Sequence, residues 1–277
     1  MVLADLTWLE VDALDRDVVF LLPTGATEQH GPHLPMDTDT CLVDAVARAV
    51  ERRLADRVVL LPPLAVGASP HHLPFPGTLS LGYVAYVETL RDLAESLFRH
   101  GFRRLYVLNG HLGNHALNEV ALREVKLRFP NALLAHAEYF HVAHAEMDAV
   151  MQAHGHPGGL SMGHGDEIET SLMLAIVPGR VKLSRAVDDG LSPEPPVQGL
   201  VTSFEERSEH GIAGNATVAN AVLGTELLEQ IVDRVTYELA NFAGTITFLG
   251  SGASAGGPPG SARGSEATDR AEEGITT

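Results

Sequence analysis

The chain is short of cysteine, tryptophan and positive charge, and each shortage excludes something. A single cysteine, Cys41, permits no internal disulfide, which fits a reducing compartment. Lys and Arg number 19 against 36 Asp and Glu, a net charge of −17. Nucleic acid and anionic membrane are therefore not expected as partners, because both reward basic patches. No apolar run reaches the roughly 18 residues of a membrane span. The first residues, "MVLADLTWLEVDALDRD", lack a basic segment followed by an apolar core, so the expected location is the cytoplasm. Aromatic residues make up 5 %, with one tryptophan, Trp8. What the chain does have is 45 % hydrophobic residues over 277 positions and a mean hydropathy of +0.06. That is enough for a globular protein of one large domain or two small ones with a substantial core.

Short apolar runs alternate with longer amphipathic ones. "DVVFLLP" (17–23), "RVVLLPPLAV" (57–66), "RRLYVLNG" (103–110) and "NALLAHAEYF" (131–140) read as buried strands that end in turn residues. Residues 40–57, 83–102 and 114–130 carry helical periodicity, the last two closed by Gly101 and Pro130. Further helices are expected over 166–177 and 218–243, around an irregular segment containing "SPEPP" (192–196). Alternating strand and helix implies crossover connections, hence an α/β fold with a mostly parallel sheet covered on both faces. Residues 250–277 are rich in Gly, Ser, Ala and Pro without apolar periodicity, and a disordered tail is expected there.

The first strand runs into "LLPTGATEQHGPHLPMDTDT", which packs Glu28, His30, His33, Asp37 and Asp39 into twelve positions. Carboxylates and imidazoles lose solvation on leaving water, so a cluster behind a buried strand calls for something that binds it. Glu28 and His30, one residue apart, point the same way in extended backbone. Mixed imidazole and carboxylate donors without thiolates suit zinc, manganese or iron. A second motif, "LNGHLGNH" (108–115), follows the third strand in sequence and carries His111. Strand ends of a parallel sheet converge on one crevice. Simpler readings exist for single residues: Asp37 or Asp39 alone serves equally well as a helix N-cap, and a lone His111 in a Gly-rich turn is ordinarily structural.

A third cluster, "GHGDEIETSLML" (163–174), sets His164, Glu167 and Glu169 at the head of an apolar helical run. A negatively charged first turn explains the acids by itself; the functional reading makes one acid a metal ligand and the histidine a general acid. "GLSMG" (159–163) fits G-x-S-x-G, but a nucleophile elbow comes directly off a strand, and "MQAHGHPG" before it is none.

"PTGATEQHGPHLPMDTDT", "FPGTLSL" (75–81), "NGHLGN" (109–114) and "HGDEIETSLML" (164–174), in this order and at these separations, resemble the creatininase (creatinine amidohydrolase) family from about residue 4 to 245. The resemblance implies a three-layer α/β/α domain over 1–249, a homo-oligomer, usually a hexamer, and two divalent metals per subunit, Zn2+, Mn2+ or Fe2+. It puts Glu28 and His30 on separate metals, Asp39 between them as the bridge, and His111 as a further ligand. His164 matches the catalytic histidine. Creatinine-hydrolysing members have a glutamate where this chain has Gly113, and Glu169 is the candidate to replace it. The implied activity is metal-dependent hydrolysis of a C–N bond in a small-molecule amide, cyclic amide or formylamide by activated water, with His164 protonating the leaving nitrogen. A peptide or a cyclic sugar derivative remains open as substrate, and so does a non-catalytic binding role. Creatinine itself is not the expected substrate, because the segment 137–162 lacks the tryptophans that close over its ring.

Overall fold

Four parallel strands carry the molecule: β1 (Val19–Thr24), β2 (Val58–Leu60), β3 (Arg104–Asn109) and β4 (Leu133–Glu138), in the order β2-β1-β3-β4. This is a computed structural model, and the residues it describes are 1–157, 163–190, 197 and 200–245. Ser161 of the G-x-S-x-G match, the "SPEPP" segment and the expected tail lie outside them. Residues Met1–Thr245 form one compact unit.

The β1 and β3 side chains alternate between two cores, as the two-residue period of a strand requires. Val19, Leu21, Tyr106 and Leu108 face one core, shared with the helices α2 (Thr38–Arg53), α7 (Glu167–Ile176) and α8 (Ala221–Gly244). Phe20, Leu22, Leu105 and Val107 face the other, shared with α3 (Tyr83–Phe98) and α4 (His115–Arg128). The result is the expected three-layer α/β/α architecture. Both strands are apolar on both sides because both sides are covered. Fully burying each such aliphatic or aromatic side chain contributes about 1.5–3 kcal/mol.

The expected strands and helices are present with two differences. Residues 57–66 form only a three-residue strand, because Pro62 and Pro63 offer no backbone donors to extend the ladder; Leu64 returns for one isolated bridge to Thr24. Residues 139–153 fold as α5 (Tyr139–Val142) and α6 (His144–Ala153), which the sequence pattern did not indicate.

This topology fixes the position of the crevice. After β1 the chain crosses to one side for β2, then to the other side for β3, so β1 and β3 are neighbours with their crossovers diverging. That is the switch point of an open parallel sheet, where ligands bind beyond the strand ends. β1 and β3 end in register at Thr24 and Asn109, joined by Thr24 Oγ1 donating to Asn109 Oδ1 at 3.0 Å.

Candidate metal centre

Each of the three motifs reaches the β1/β3 end by a different local device. In the first, the Glu28 N–H donates to the Met36 carbonyl at 2.8 Å, closing a loop that turns at Gly31 with φ 69°. Asp37 occupies the N-cap position of α2 without capping it; its carboxylate pairs with Arg180 at 2.5 Å. Asp39 lies in the first turn of that helix, free of capping duty and 2 % exposed. In the second motif, a Cβ on Gly110 would meet the Asp39 carbonyl at 2.9 Å, so glycine there lets the end of β3 close on α2 and delivers His111 to Asp39. In the third, Asp166 caps α7, accepting from the N–H groups of Ile168 and Glu169 at 3.0 and 2.9 Å. That cap directs Glu169 inward, while His164 is fixed by a two-way backbone bridge to Ala213.

The five acids and imidazoles expected as ligands come together. His30 Nε2 lies 3.0 Å from Asp39 Oδ1 and 3.7 Å from Glu169 Oε2. His111 Nδ1 lies 3.2 Å from Asp39 Oδ2 and 3.3 Å from Glu28 Oε1. The two oxygens of Asp39 thus face two separate donor groups. Glu169 stands on the His30 side, away from the gap at Gly113. On the Gly113 side the third donor beside Glu28 and His111 is His71, which the sequence pattern did not single out. Position 113 is closed to any side chain: a Cβ would sit 2.3 Å from His111 Nε2 and 2.5 Å from the Ala68 carbonyl.

Burial alone would neutralise these groups, and their mutual charges oppose it. For His30, burial lowers the pKa, but Asp39, then Glu169 and Glu28, raise it to about 10. For His111, Glu28 and Asp39 likewise override burial and lift it well above the usual value. Glu28 is held well below the carboxylate range by His111, His72 and His164 against the upward pull of burial. Asp39 is lowered by His30 and His111, against burial and Glu28. Glu169, pushed up by burial more than His30 lowers it, reaches about 8.

Glu28 Oε1 and Oε2 and Asp39 Oδ2 are buried with no hydrogen-bond partner among the described residues. Buried carboxylate oxygens in that state are costly unless something charged meets them. Two imidazoles and three carboxylates, with no thiolate, form a donor set for divalent zinc, manganese or iron, and the arrangement fits such ions.

A cavity of about 210 Å³ opens onto these donors, lined also by His71, His72, Phe140, His141, Phe204 and Arg207. His164 Nε2 is 2.7 Å from the Gln29 carbonyl, which can only accept, and 3.2 Å from Gln29 Nε2; the shorter contact places the proton on Nε2 and leaves Nδ1 unprotonated, 3.8 Å from Glu28 Oε1. Burial and the nearby His30 lower its pKa to about 3. Neighbouring His72, lowered to about 2 by burial, accepts from Gln29 Nε2 at Nδ1, 2.9 Å away, and turns Nε2 to Glu28 Oε1 at 3.4 Å. The Phe204 ring packs on both imidazoles, with centroids 4.6 and 4.8 Å away. His33 leaves the cluster: its Nε2 bonds Thr170 Oγ1 at 2.8 Å and ties the first loop to α7. The "HH" pair at 71–72 was a visible signal, whereas nothing around Phe204 or Arg207 marked them in the sequence.

Comparison with known proteins gives the family. The Creatininase family model (creatinine amidohydrolase) matches residues 4–239. The chain is 32 % identical over 248 residues to creatinine amidohydrolase of Pseudomonas putida, covering 83 % of this chain and 93 % of that protein. It is 33 % identical over 234 residues to the mycofactocin precursor peptide peptidase of Mycobacterium ulcerans (strain Agy99), covering 80 % and 84 %. Among solved structures, a Zn-Zn type creatininase mutant superposes with a TM-score of 0.78 at 31 % identity, covering 87 % of this chain and 97 % of that one. A manganese creatininase gives 0.76 at 31 %, covering 87 % and 97 %. A creatininase mutant complexed with creatine gives 0.77 at 31 %, covering 87 % and 98 %. The chain belongs to the creatininase family and is a hydrolase of the creatininase-type amidohydrolase class.

Proposed function

We propose that the protein is a binuclear metal-dependent amidohydrolase that cleaves a C–N bond in a small amide, cyclic amide or formylamide. The observation that carries this is the division of Asp39 between two donor groups. His30, Asp39 and Glu169 would hold one ion; Glu28, Asp39 and His111, with His71 at hand, would hold the other. Divalent ions held there supply Lewis acidity and lower the pKa of water towards neutrality.

The chain's own residues do the rest. His164, neutral at physiological pH with Nδ1 unprotonated, is set to accept a proton from attacking water and to return it to the departing nitrogen. The Gln29 carbonyl holds the ring in the tautomer that leaves Nδ1 available. Phe204 covers His72 and His164 on one side and holds both rings in place. At about 210 Å³ the cavity is smaller than the roughly 300–1,000 Å³ of drug-sized sites, which supports a small-molecule substrate or the end of a longer one.

The assembly proposed is a homo-oligomer, a hexamer by family resemblance. Trp8 and Leu9, 76 % and 61 % exposed on α1 (Trp8–Asp12), offer apolar surface for it. A cytoplasmic location is supported by the single cysteine. Among the described residues no helix is long and apolar enough to cross a membrane.

The test is elemental analysis of the purified protein, combined with a panel of formylamides, lactams and short peptides assayed with added zinc or manganese. Metal-dependent release of amine or carboxylate from a small amide supports the reading. Turnover of peptides alone would move the activity to peptidase, and a protein that binds no divalent ion through Asp39 would overturn it.

A further inference from the structure

Outside the cleft, on the far side of Asn109, lies a second concentration of imidazole and carboxylate. His136 and Glu138 are two apart on β4 and so project to the same side. His115 opens α4, which packs on that strand. His115 Nδ1 is 2.8 Å from Glu138 Oε1, and the His115 and His136 rings meet edge to face with centroids 5.2 Å apart. One donor atom from each of the three residues lies within 4.8 Å of the others. His136 Nδ1 is buried and has no hydrogen-bond partner among the described residues.

We propose that His115, His136 and Glu138 form an outer metal site that takes one first-row transition ion, separate from the ions at Asp39. Two imidazoles and a carboxylate, leaving a coordination position for water, are the three-ligand set of an open tetrahedral zinc site. Donors on such an ion, each at about 2.1 Å, stand roughly 3.4 Å apart, so closure needs side-chain movement of about an ångström. His115 is half exposed and free to make it. The carboxylate is already oriented: Glu138 Oε1 accepts from Asn109 Nδ2 at 3.1 Å and Oε2 faces His141 Nδ1 at 2.9 Å. Such supporting contacts hold ligands in place and raise affinity. An ion bonded through His136 Nδ1 would also end the isolation of that buried nitrogen. The outer and inner groups share no donor atom. They are linked through Asn109, whose Nδ2 donates to both Glu138 and the His111 carbonyl, the latter at 2.6 Å. An ion on Glu138 therefore steadies the strand end that presents His111.

The test is calorimetric titration of the full, chelator-stripped chain with Zn2+, comparing wild type with a His115→Ala/His136→Ala double variant. Neither residue touches Glu28, His30, Asp39, His111 or Glu169, so inner binding cancels in the difference. The expected result is one fewer zinc equivalent per chain in the double variant. If the double variant does not fold, as judged by circular dichroism, the surface variant His115→Ala serves, with the outer affinity expected to fall at least about tenfold. Unchanged stoichiometry and affinity in the folded variant would overturn the proposal.

Discussion

Replacing Asp39 by alanine isolates the bridging carboxylate. Its two oxygens stand 3.0 Å from His30 Nε2 and 3.2 Å from His111 Nδ1, one toward each donor group. Without it the first group keeps only Glu169 beside His30, whereas the second keeps Glu28, His111 and His71. The first is then not expected to hold an ion at ordinary free concentrations, and the second is expected to hold one more weakly. An ion present at 100 times its dissociation constant stabilises the fold by about 2.7 kcal/mol, so two contribute about 5 kcal/mol. For a chain of this size that corresponds to roughly 10–20 °C in Tm, at about 2–4 °C per kcal/mol. Removing a carboxylate from between two buried imidazoles also changes the metal-free protein, by up to about 3–5 kcal/mol. The informative quantity is therefore the chelator-induced shift within each variant. Wild type should lose roughly 10–20 °C on chelation, and Asp39→Ala no more than about half of that. Elemental analysis should find at least one fewer ion per chain in the variant. An equal metal content in the two proteins would refute the bridging assignment.

Four further outcomes are expected. His164→Ala should keep its metal and lose about 10²–10⁴ in kcat on whichever amide is turned over, whereas Glu169→Gln should weaken metal affinity; a metal-free His164→Ala protein would reverse the two roles. Metal uptake should release protons at pH 7, because His30 at about 10, His111 well above its usual value and Glu169 at about 8 are protonated in the metal-free fold. These groups must lose those protons to become ligands, so affinity rises with pH across neutrality, and titration in buffers of different ionisation enthalpy counts the protons. Creatinine should be turned over with kcat/KM below about 10⁴ M⁻¹s⁻¹, since the cavity is walled by Phe140, His141 and Phe204 and Trp8 is 76 % exposed; a higher value would show that these side chains replace a tryptophan wall. Truncation after Gly250 should leave oligomer size by light scattering and activity unchanged, because residues 251–277 have no apolar periodicity to bury.

The sequence by itself determined the layer architecture, because burial on both faces of a parallel strand forces runs such as "VVFLL" and leaves amphipathic periods for the covering helices. It also marked Glu28, His30, Asp39 and His111, since that density of imidazole and carboxylate after buried strands has no cheap structural explanation. Local sequence could not say which donor belongs with which. Glu169 joins His30 rather than filling the gap at Gly113, because the Asp166 cap sets the direction of α7 while His111 and Ala68 fill the space around residue 113. His71, His72, Phe204 and Arg207 enter the cavity from segments far in sequence from the three motifs that carry the ligands, a juxtaposition with no periodicity to reveal it. His33 shows the converse: it stands in the same dense stretch of imidazole and carboxylate, yet Thr170 claims it across 137 residues. Ligand chemistry is a property of residue types and is legible in one dimension. The pairing of donors depends on distances that arise only when separate strand ends and helix termini meet at the switch point of the sheet.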